Sequence, residues 1–410
     1  MRQMRFALQL TVFLTLAFSV NAATPAWDQL AQLTASDGQP LDGLGSSVSI
    51  SGGTIVAGSP GAAGAAYVFV KSQSGWTNMT QVAKLTASDG QHGDSFGLSV
   101  SISGNTIVVG APCANSCQGA AYVFVKPVGG WADMTETAKL TTSDGQANDV
   151  AAESTSISGN TIALGAAGKT VKGIAAAGEV YVYEKPSGGW ANMTETVKFA
   201  EGGNNHGHGG IQFGTSVDLG GDTLIVGAPY TYLSSLNRGA VFVFVKAANG
   251  WKYTTRTSEL FYSKPGKYLG QSAAITNDGG TVVGGAENSP SPGRVLIFVK
   301  PSTGWPTFVT ETATLTDGTG SGDAFGSAVA VSNATVVAGA ANPGNLGAAY
   351  VFSRPPTGWK TTHKYQASLM ASDEAADWVF GASVAINGST SVVGAWGWSN
   401  AQGTAFVFGK

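Results

Sequence analysis

Cysteine, charge and long apolar runs are all scarce in this chain, and each shortage narrows what it can be. Only Cys113 and Cys117 are present among 410 residues. They sit in one short stretch, so no wider disulfide framework can hold the fold together. In an exported protein the pair is expected to close a small disulfide ring that stiffens its own loop alone. A two-cysteine metal site is the alternative reading, and no third or fourth ligand lies nearby in sequence. Charged residues make up 11% of the chain and the net charge is −3. Nothing there suggests a nucleic acid or an anionic membrane as partner. There is no Gly-x-Ser-x-Gly elbow and no Gly-rich phosphate loop at a helix start.

The one long apolar run is at the beginning. Arg2 and Arg5 precede the apolar stretch from Phe6 to Val20, and Val20-Asn21-Ala22 fits a small-x-small cleavage site. Residues 1–22 therefore read as a secretory signal peptide, too short and too early to span a bilayer comfortably. No later stretch could cross a membrane and no anchor is visible. The expected location is secreted, periplasmic or at the cell surface. Residues 23–410 read as a single domain.

What the chain has in abundance is glycine, 58 residues of it, within a composition that is 43% apolar. That is a turn-rich β composition. The stretch from Phe96 to Lys126 shows why. Phe96 to Ile102 alternates apolar and polar residues, the period of a half-buried strand. Ser103-Gly104-Asn105 supplies a turn. Thr106 to Gly110 is β-branched, and Ala120 to Val125 is a third strand. Gly130-Trp131 opens a fourth segment that ends at Ala138-Lys139-Leu140.

This unit recurs. First strands begin near Leu44, Phe96, Ala151, Phe213, Leu269, Phe325 and Phe380. The period is about 55 residues, in the range of propeller blades. Six Gly-Trp openings follow third strands, with Trp at 76, 131, 190, 251, 305 and 359. The seventh unit ends at Lys410 without one, while Ala26-Trp27 through Gly38 matches the missing copy. The N-terminal strand can therefore complete the C-terminal sheet and remove an open edge. The fold expected is all-β: a seven-bladed propeller of four-stranded antiparallel blades, closed by that strand. The recurring Trp is expected to fill the gap between adjacent sheets.

The Phe-Gly…Gly-Ala-Pro units resemble FG-GAP repeats, the blades of the propeller at the head of integrin α subunits. The likeness covers nearly the whole chain after the leader. It implies extracellular binding or adhesion through the face that carries the second-to-third loops and the blade-to-blade connectors. Calcium-binding FG-GAP blades carry an Asp-x-Asp-x-Asp-Gly-type loop between first and second strands. Here those turns read Ser51-Gly52-Gly53, Ser103-Gly104-Asn105, Ser332-Asn333-Ala334 and the like, with one carboxylate at most. They cannot supply the several oxygens calcium needs, so no calcium site and no cofactor is carried over.

Acidic pairs recur instead in the connectors: Asp37 and Asp42, Asp89 and Asp94, Asp144 and Asp149, Asp317 and Asp323, Asp373 and Asp377. Two carboxylates per loop with carbonyls could hold a cation such as calcium. The competing reading is Asx-turns and strand caps, repeated because the blade is repeated. His206 and His208 lie in a Gly-rich insertion, either as two ligands lacking a third or as a solvated loop. Aromatics outside the regular Trp set cluster on loops: Trp378, Trp396 and Trp398 in the last blade, Tyr230 and Tyr232 in the fourth. Such rings suit sugar stacking or protein recognition, or else they pack neighbouring loops. Asn78, Asn192, Asn333 and Asn387 match the glycosylation sequon, three of them at repeated positions. The function expected is a monomeric, non-catalytic binding or adhesion module for an extracellular protein or glycan. A lectin is one alternative. A polysaccharide hydrolase or lyase using the acidic connectors is another.

Overall fold

The computed structural model describes residues 26–201, 209–233, 236–252, 256–264, 268–287, 293–319, 324–341, 346–372 and 379–410. Seven antiparallel sheets are arranged as the blades of a propeller. Blade 2 shows the plan. Its strands, from the axis outward, are Ser99–Ser103, Thr106–Ala111, Ala120–Val125 and Ala138–Leu140. Val100 lies opposite Val109 and Ile102 opposite Ile107, so the apolar alternation read in the sequence sets the register. Gly104 turns the first hairpin at a φ of +57°.

The ring closes as the sequence implied. Asp28–Thr34 pairs antiparallel with Thr404–Gly409, with Leu33 opposite Ala405, as the outer strand of blade 7.

One element was not expected. After Trp76, Trp131, Trp190, Trp305 and Trp359 the segment does not run straight into the fourth strand. It first forms a short strap along the preceding blade and pairs parallel with that blade's outer strand. Met79–Thr80 pairs with Leu33 and Thr34, Met134–Thr135 with Leu85 and Thr86, and Phe308–Thr310 with Glu259–Phe261. Side chains fasten the strap. Asn78, Asp133 and Asn192 accept the backbone N–H of Gln32, Lys84 and Lys139. Glu136, Glu195 and Glu311 each accept from the backbone and hydroxyl of a serine in the preceding blade. The repeated Asn-Met-Thr is thus a structural clasp as well as a sequon match.

The Phe-Gly…Gly-Ala-Pro pattern has a physical reason. The second-strand glycine of each blade lies beneath the carbonyl of the residue at the Phe-Gly glycine position of the next blade, which is Ala152 in blade 3. A Cβ on Gly58 would stand 1.9 Å from the Gly97 oxygen, and one on Gly110 2.2 Å from the Ala152 oxygen. The first-strand serine fixes the same contact: the hydroxyls of Ser47, Ser99, Ser154, Ser216, Ser272 and Ser383 donate to those carbonyls across the seam. The phenylalanine is buried edge-on against its own third strand, as Phe96 is against Tyr122 and Phe124.

The core is correspondingly divided among seven seams, each filled by side chains of two adjacent blades and each containing one of the recurring tryptophans. All seven indoles are at least nine-tenths buried. Burying roughly 150–250 Å² of aromatic surface at each seam at about 25 cal/mol per Å² stabilises it by several kcal/mol as an upper estimate.

Candidate functional site

Alternation of strand direction places the second-to-third loops and the connectors on one face, which we call the connector face. Its most regular feature is a Tyr–Asp–Lys clasp that the sequence reading did not single out. In blade 2 the Tyr122 hydroxyl and the Lys139 ammonium donate to Asp89 at 2.9 and 2.5 Å. In blade 1, Tyr67 and Lys84 donate to Asp37 at 2.9 and 2.6 Å. In blade 3, Tyr181 and Lys198 both donate to Asp144. The signal was present as a tyrosine in the third strand and a lysine in the fourth at fixed places in the repeat, within Ala-Ala-Tyr and Ala-Lys-Leu in blades 1 and 2. Burial pulls the Asp89 carboxyl upward, but the Lys139 and Tyr122 hydrogen bonds and the Lys139 charge outweigh it. Its pKa therefore lies below the usual carboxylate range. Asp37 and Asp144 follow for the same reasons. Burial, and then Asp89, pushes the Tyr122 hydroxyl well up.

The second acid of each pair has a different task. Asp42, Asp94 and Asp149 accept the backbone N–H of Gln39, Gln91 and Gln146, three residues earlier, at 2.7, 2.8 and 2.7 Å. Lys169, itself buried, reaches Asp149 at 2.8 Å and the Asp144 carbonyl at 2.6 Å. Asp317 accepts from the backbone and hydroxyl of Thr319. These contacts are those of caps and ion pairs, the competing reading of the acidic repeats. Among the described residues no cluster of three or more His, Cys, Asp or Glu side chains could hold a metal ion. Asp323, Asp373, Asp377, His206, His208 and Trp378 lie outside the described residues.

Cys113 and Cys117, the pair expected to close a small ring, carry no bond between them in this structure. Burial, and then a hydrogen bond with Cys117, pushes the Cys113 thiol up to about 11. The loop holds its shape without a bond between them. Asn115, Ser116 and Cys117 adopt left-handed backbone angles, secured by Cys117 N–H to the Cys113 carbonyl and Gly119 N–H to the Ala114 carbonyl. Blade 7 builds the same turn over Trp398–Ala401 with no cysteine at all. In both, a glutamine reaches to the next connector: Gln118 donates to the Gly145 carbonyl and Gln402 to the Gly38 carbonyl.

The loop aromatics fall into two separate groups. Trp396 is 37% exposed and Trp398 half-buried in the blade 7 turn. Tyr230 is half-buried in blade 4 and stacks edge-on against Tyr268 at 5.4 Å. Tyr232 lies two residues on, also half-buried. Blades 5 and 6 lie between the groups on the shorter way round the ring, so they share a face but do not form one site.

Blades 4 and 5 depart from the clasp. The connector over residues 260–270 has no acid. Arg238, at the position of Gln118 and Gln402, donates to the Tyr262 carbonyl. Arg294 donates to the Tyr262 hydroxyl at 2.9 Å with its guanidinium 5.0 Å from the ring centre. Arg256 pairs with Glu201 and Glu259. Burial raises both carboxyls and the arginine counters it. The connector face is thus acidic over blades 1 to 3 and arginine- and tyrosine-rich over blades 4 and 5. Beneath the blade 2 loop is a cavity of about 300 Å³ lined by Asp89, Asp94, Asn115, Gln118, Tyr122 and Lys139.

Comparison with known proteins gives two findings. The FG-GAP repeat family matches residues 27–69, 79–124, 134–183, 205–244, 309–352 and 364–408. Among solved structures, the computationally designed Ika8 protein matches 93% of this chain and 99% of its own, at 14% identity and a TM-score of 0.50. That likeness speaks for the fold alone. No curated protein matches the chain.

Proposed function

Because the chain belongs to the FG-GAP repeat family, we propose that it is a non-catalytic binding module that takes an extracellular partner on its connector face after export by the leader. The observation that carries this is Trp396, an indole left 37% exposed on a loop whose backbone is otherwise fixed by interblade hydrogen bonds. A rigid aromatic presented at the surface costs little entropy to bury and is a typical energetic centre of recognition. The acids of the face support binding over catalysis. Those among the described residues are engaged with Tyr, Lys and backbone partners and are distributed around a ring, with no pair of them converging on one substrate bond. The partner read as most consistent with this surface is a protein, in an adhesion-type contact.

A glycan is the second reading. The cavity under the blade 2 loop favours it, since its Asp, Asn, Gln and Lys groups beside Tyr122 are the donors and acceptors a sugar needs. A screen of extracellular-matrix proteins and a glycan array, run with the protein lacking residues 1–22, separates the two. Trp396→Ala with Trp398→Ala should abolish the protein signal. Unchanged capture of every ligand by that double variant would defeat the proposal.

A further inference from the structure

Every third strand is followed directly by a cation. In blades 1 to 3 these are Lys71, Lys126 and Lys185, and in blades 4 to 7 Lys246, Lys300, Arg354 and Lys410. One backbone bond sets the place of each: its N–H donates to a carbonyl of the first-to-second turn of the same blade. Lys71 donates to Gly53 and Lys126 to Asn105 at 2.8 Å, and Arg354 to Ala334 at 2.7 Å. The seven therefore stand at one height on the face opposite the connectors, the turn face. They form a ring two strand spacings outside the inner strands, about 10 Å. All seven side chains are exposed or half-buried.

The fold does not need this charge. The bond that fixes each position comes from the backbone, and any residue except proline supplies it. Among the described residues only Lys246 of the seven forms an ion pair, with Glu184 at 2.7 Å. Only Lys410 stands over an indole, that of Trp27, at 5.4 Å.

Little on the same face offsets the ring. The turns between first and second strands and between third and fourth strands contain two acids, Asp222 and Asp278. At the residue after each tryptophan, Lys252 and Lys360 outnumber Asp28. The mouth of the axial channel, at the centre of the ring, is lined by neutral groups such as Ser51, Ser103, Asn277 and Ser332. Asp218 lies deeper, in the channel wall where blades 1 to 3 carry serine. There it accepts from the Ser156 hydroxyl and the N–H groups of Leu219 and Ile275. The first acids of the connectors, Asp37, Asp89 and Asp144, are on the far face and each already holds a lysine. The net charge of −3 thus conceals a division between the two faces.

The arrangement selects the shape of the partner. A small anion would reach one of these cations, and a linear polyanion those of two or three neighbouring blades. A plane meets the whole ring. Cations brought close to an anionic bilayer contribute one by one, within about a Debye length of the surface. Val128, fully exposed in the third-to-fourth turn of blade 2, offers an apolar side chain at the same level. We propose that the turn face docks on an anionic phospholipid surface through this cation ring, with the connector face turned away from the lipid.

The test is sedimentation with vesicles, using the protein without residues 1–22 so that the apolar leader cannot bind lipid. At about 0.1 M salt, vesicles of equal parts phosphatidylglycerol and phosphatidylcholine should bind it at least tenfold more tightly than phosphatidylcholine alone, and about 0.5 M salt should release it. Lys71→Gln with Lys126→Gln should weaken binding at least tenfold. Lys172→Gln with Lys264→Gln removes the same charge from exposed positions of the connector face and should leave binding within about twofold of the parent. No binding to the anionic vesicles, equal binding to both vesicle types, binding that survives the higher salt, or equal losses in the two double variants would overturn the inference. Displacement by soluble polyphosphate at the same phosphate concentration would also overturn it, by making the ring a site for a polyanion in solution. The vesicle comparison needs no variant, so a folding defect cannot obscure it.

Discussion

Leu33 lies directly opposite Ala405 in an antiparallel pair that joins the first described strand of the chain to its last. Around that contact Ala31 and Leu33 are buried together with Val407, Tyr67 and Trp76. Removing residues 23–36 would strip blade 7 of its outer strand, expose the edge of Thr404–Gly409 and take core side chains out of two seams, Trp27 from one and Ala31 and Leu33 from the other. An uncovered edge invites pairing with another chain. We expect the truncated protein to aggregate or to unfold well below the melting temperature of its parent. Size-exclusion chromatography and calorimetry check this, and a monomer with the parental melting point would contradict the closure.

The architecture was legible because one physical constraint is written seven times. A glycine under a carbonyl, a serine beside it and a phenylalanine behind it can be recognised even where a copy is worn, as at Ala151-Ala152. The straps were not legible. Their pairing runs between blades, and a two-residue strand such as Met79–Thr80 has no periodicity of its own. The acidic pairs were visible, but their partners were not. That Asp89 belongs to Tyr122 and Lys139 depends on three strands meeting, which spacing alone does not give. Cys113 and Cys117 were expected to pair because the leader points to export, while the left-handed angles that shape their turn are not displayed by sequence. Asp218 went unmarked because one carboxylate among serines carries no motif.

Blade 6 lacks one seam bond, and replacing it should stabilise the fold. Ala328 stands where the other six blades carry serine, and its Cβ lies beside Gly339, under the Gly381 carbonyl. The Ala328→Ser hydroxyl can donate to that carbonyl as Ser383 does to Gly45. A net hydrogen bond of this kind contributes about 0.5–1.5 kcal/mol. The expected result is a higher denaturation midpoint for Ala328→Ser and a lower one for Ser99→Ala. Opposite signs in these two variants are the essential outcome, since a general sensitivity of inner strands would lower both.

Two glycines in blade 2 should respond very differently to alanine. Gly104 has a φ of +57° and nothing within 4 Å of a Cβ, so Gly104→Ala meets only backbone strain of about 1–2 kcal/mol. A Cβ on Gly110 would strike the Ala152 oxygen at 2.2 Å. There the two blades must separate, at a cost of about 3 kcal/mol or more. Equilibrium urea unfolding of the two variants distinguishes them. Equal losses would mean that the glycine of the Gly-Ala-Pro segment is a matter of turn propensity and not of contact between blades.

Asp218 should also govern part of the pH dependence of stability. Burial pushes its carboxyl from the ordinary 3.8 up to about 6, against the lowering effect of the Ile275, Ser156 and Leu219 hydrogen bonds. The folded protein therefore holds a proton that the unfolded chain has already released. Below pH 3.8 both states are protonated and the group has no effect. Between pH 3.8 and about 6 stability falls as pH rises, and above that the full penalty applies. A shift of this size corresponds to at most about 3 kcal/mol. Burial also raises Glu153, Glu179, Glu201, Glu259 and Glu287 and adds slope in the same direction, so the informative quantity is the difference between two proteins. Asp218→Asn cannot ionise. Denaturant unfolding at pH 4.5 and pH 7.5 should show the parent losing more stability than Asp218→Asn on the way up. Parallel stability curves would mean that the carboxyl is no more enclosed in the folded protein than in the unfolded chain.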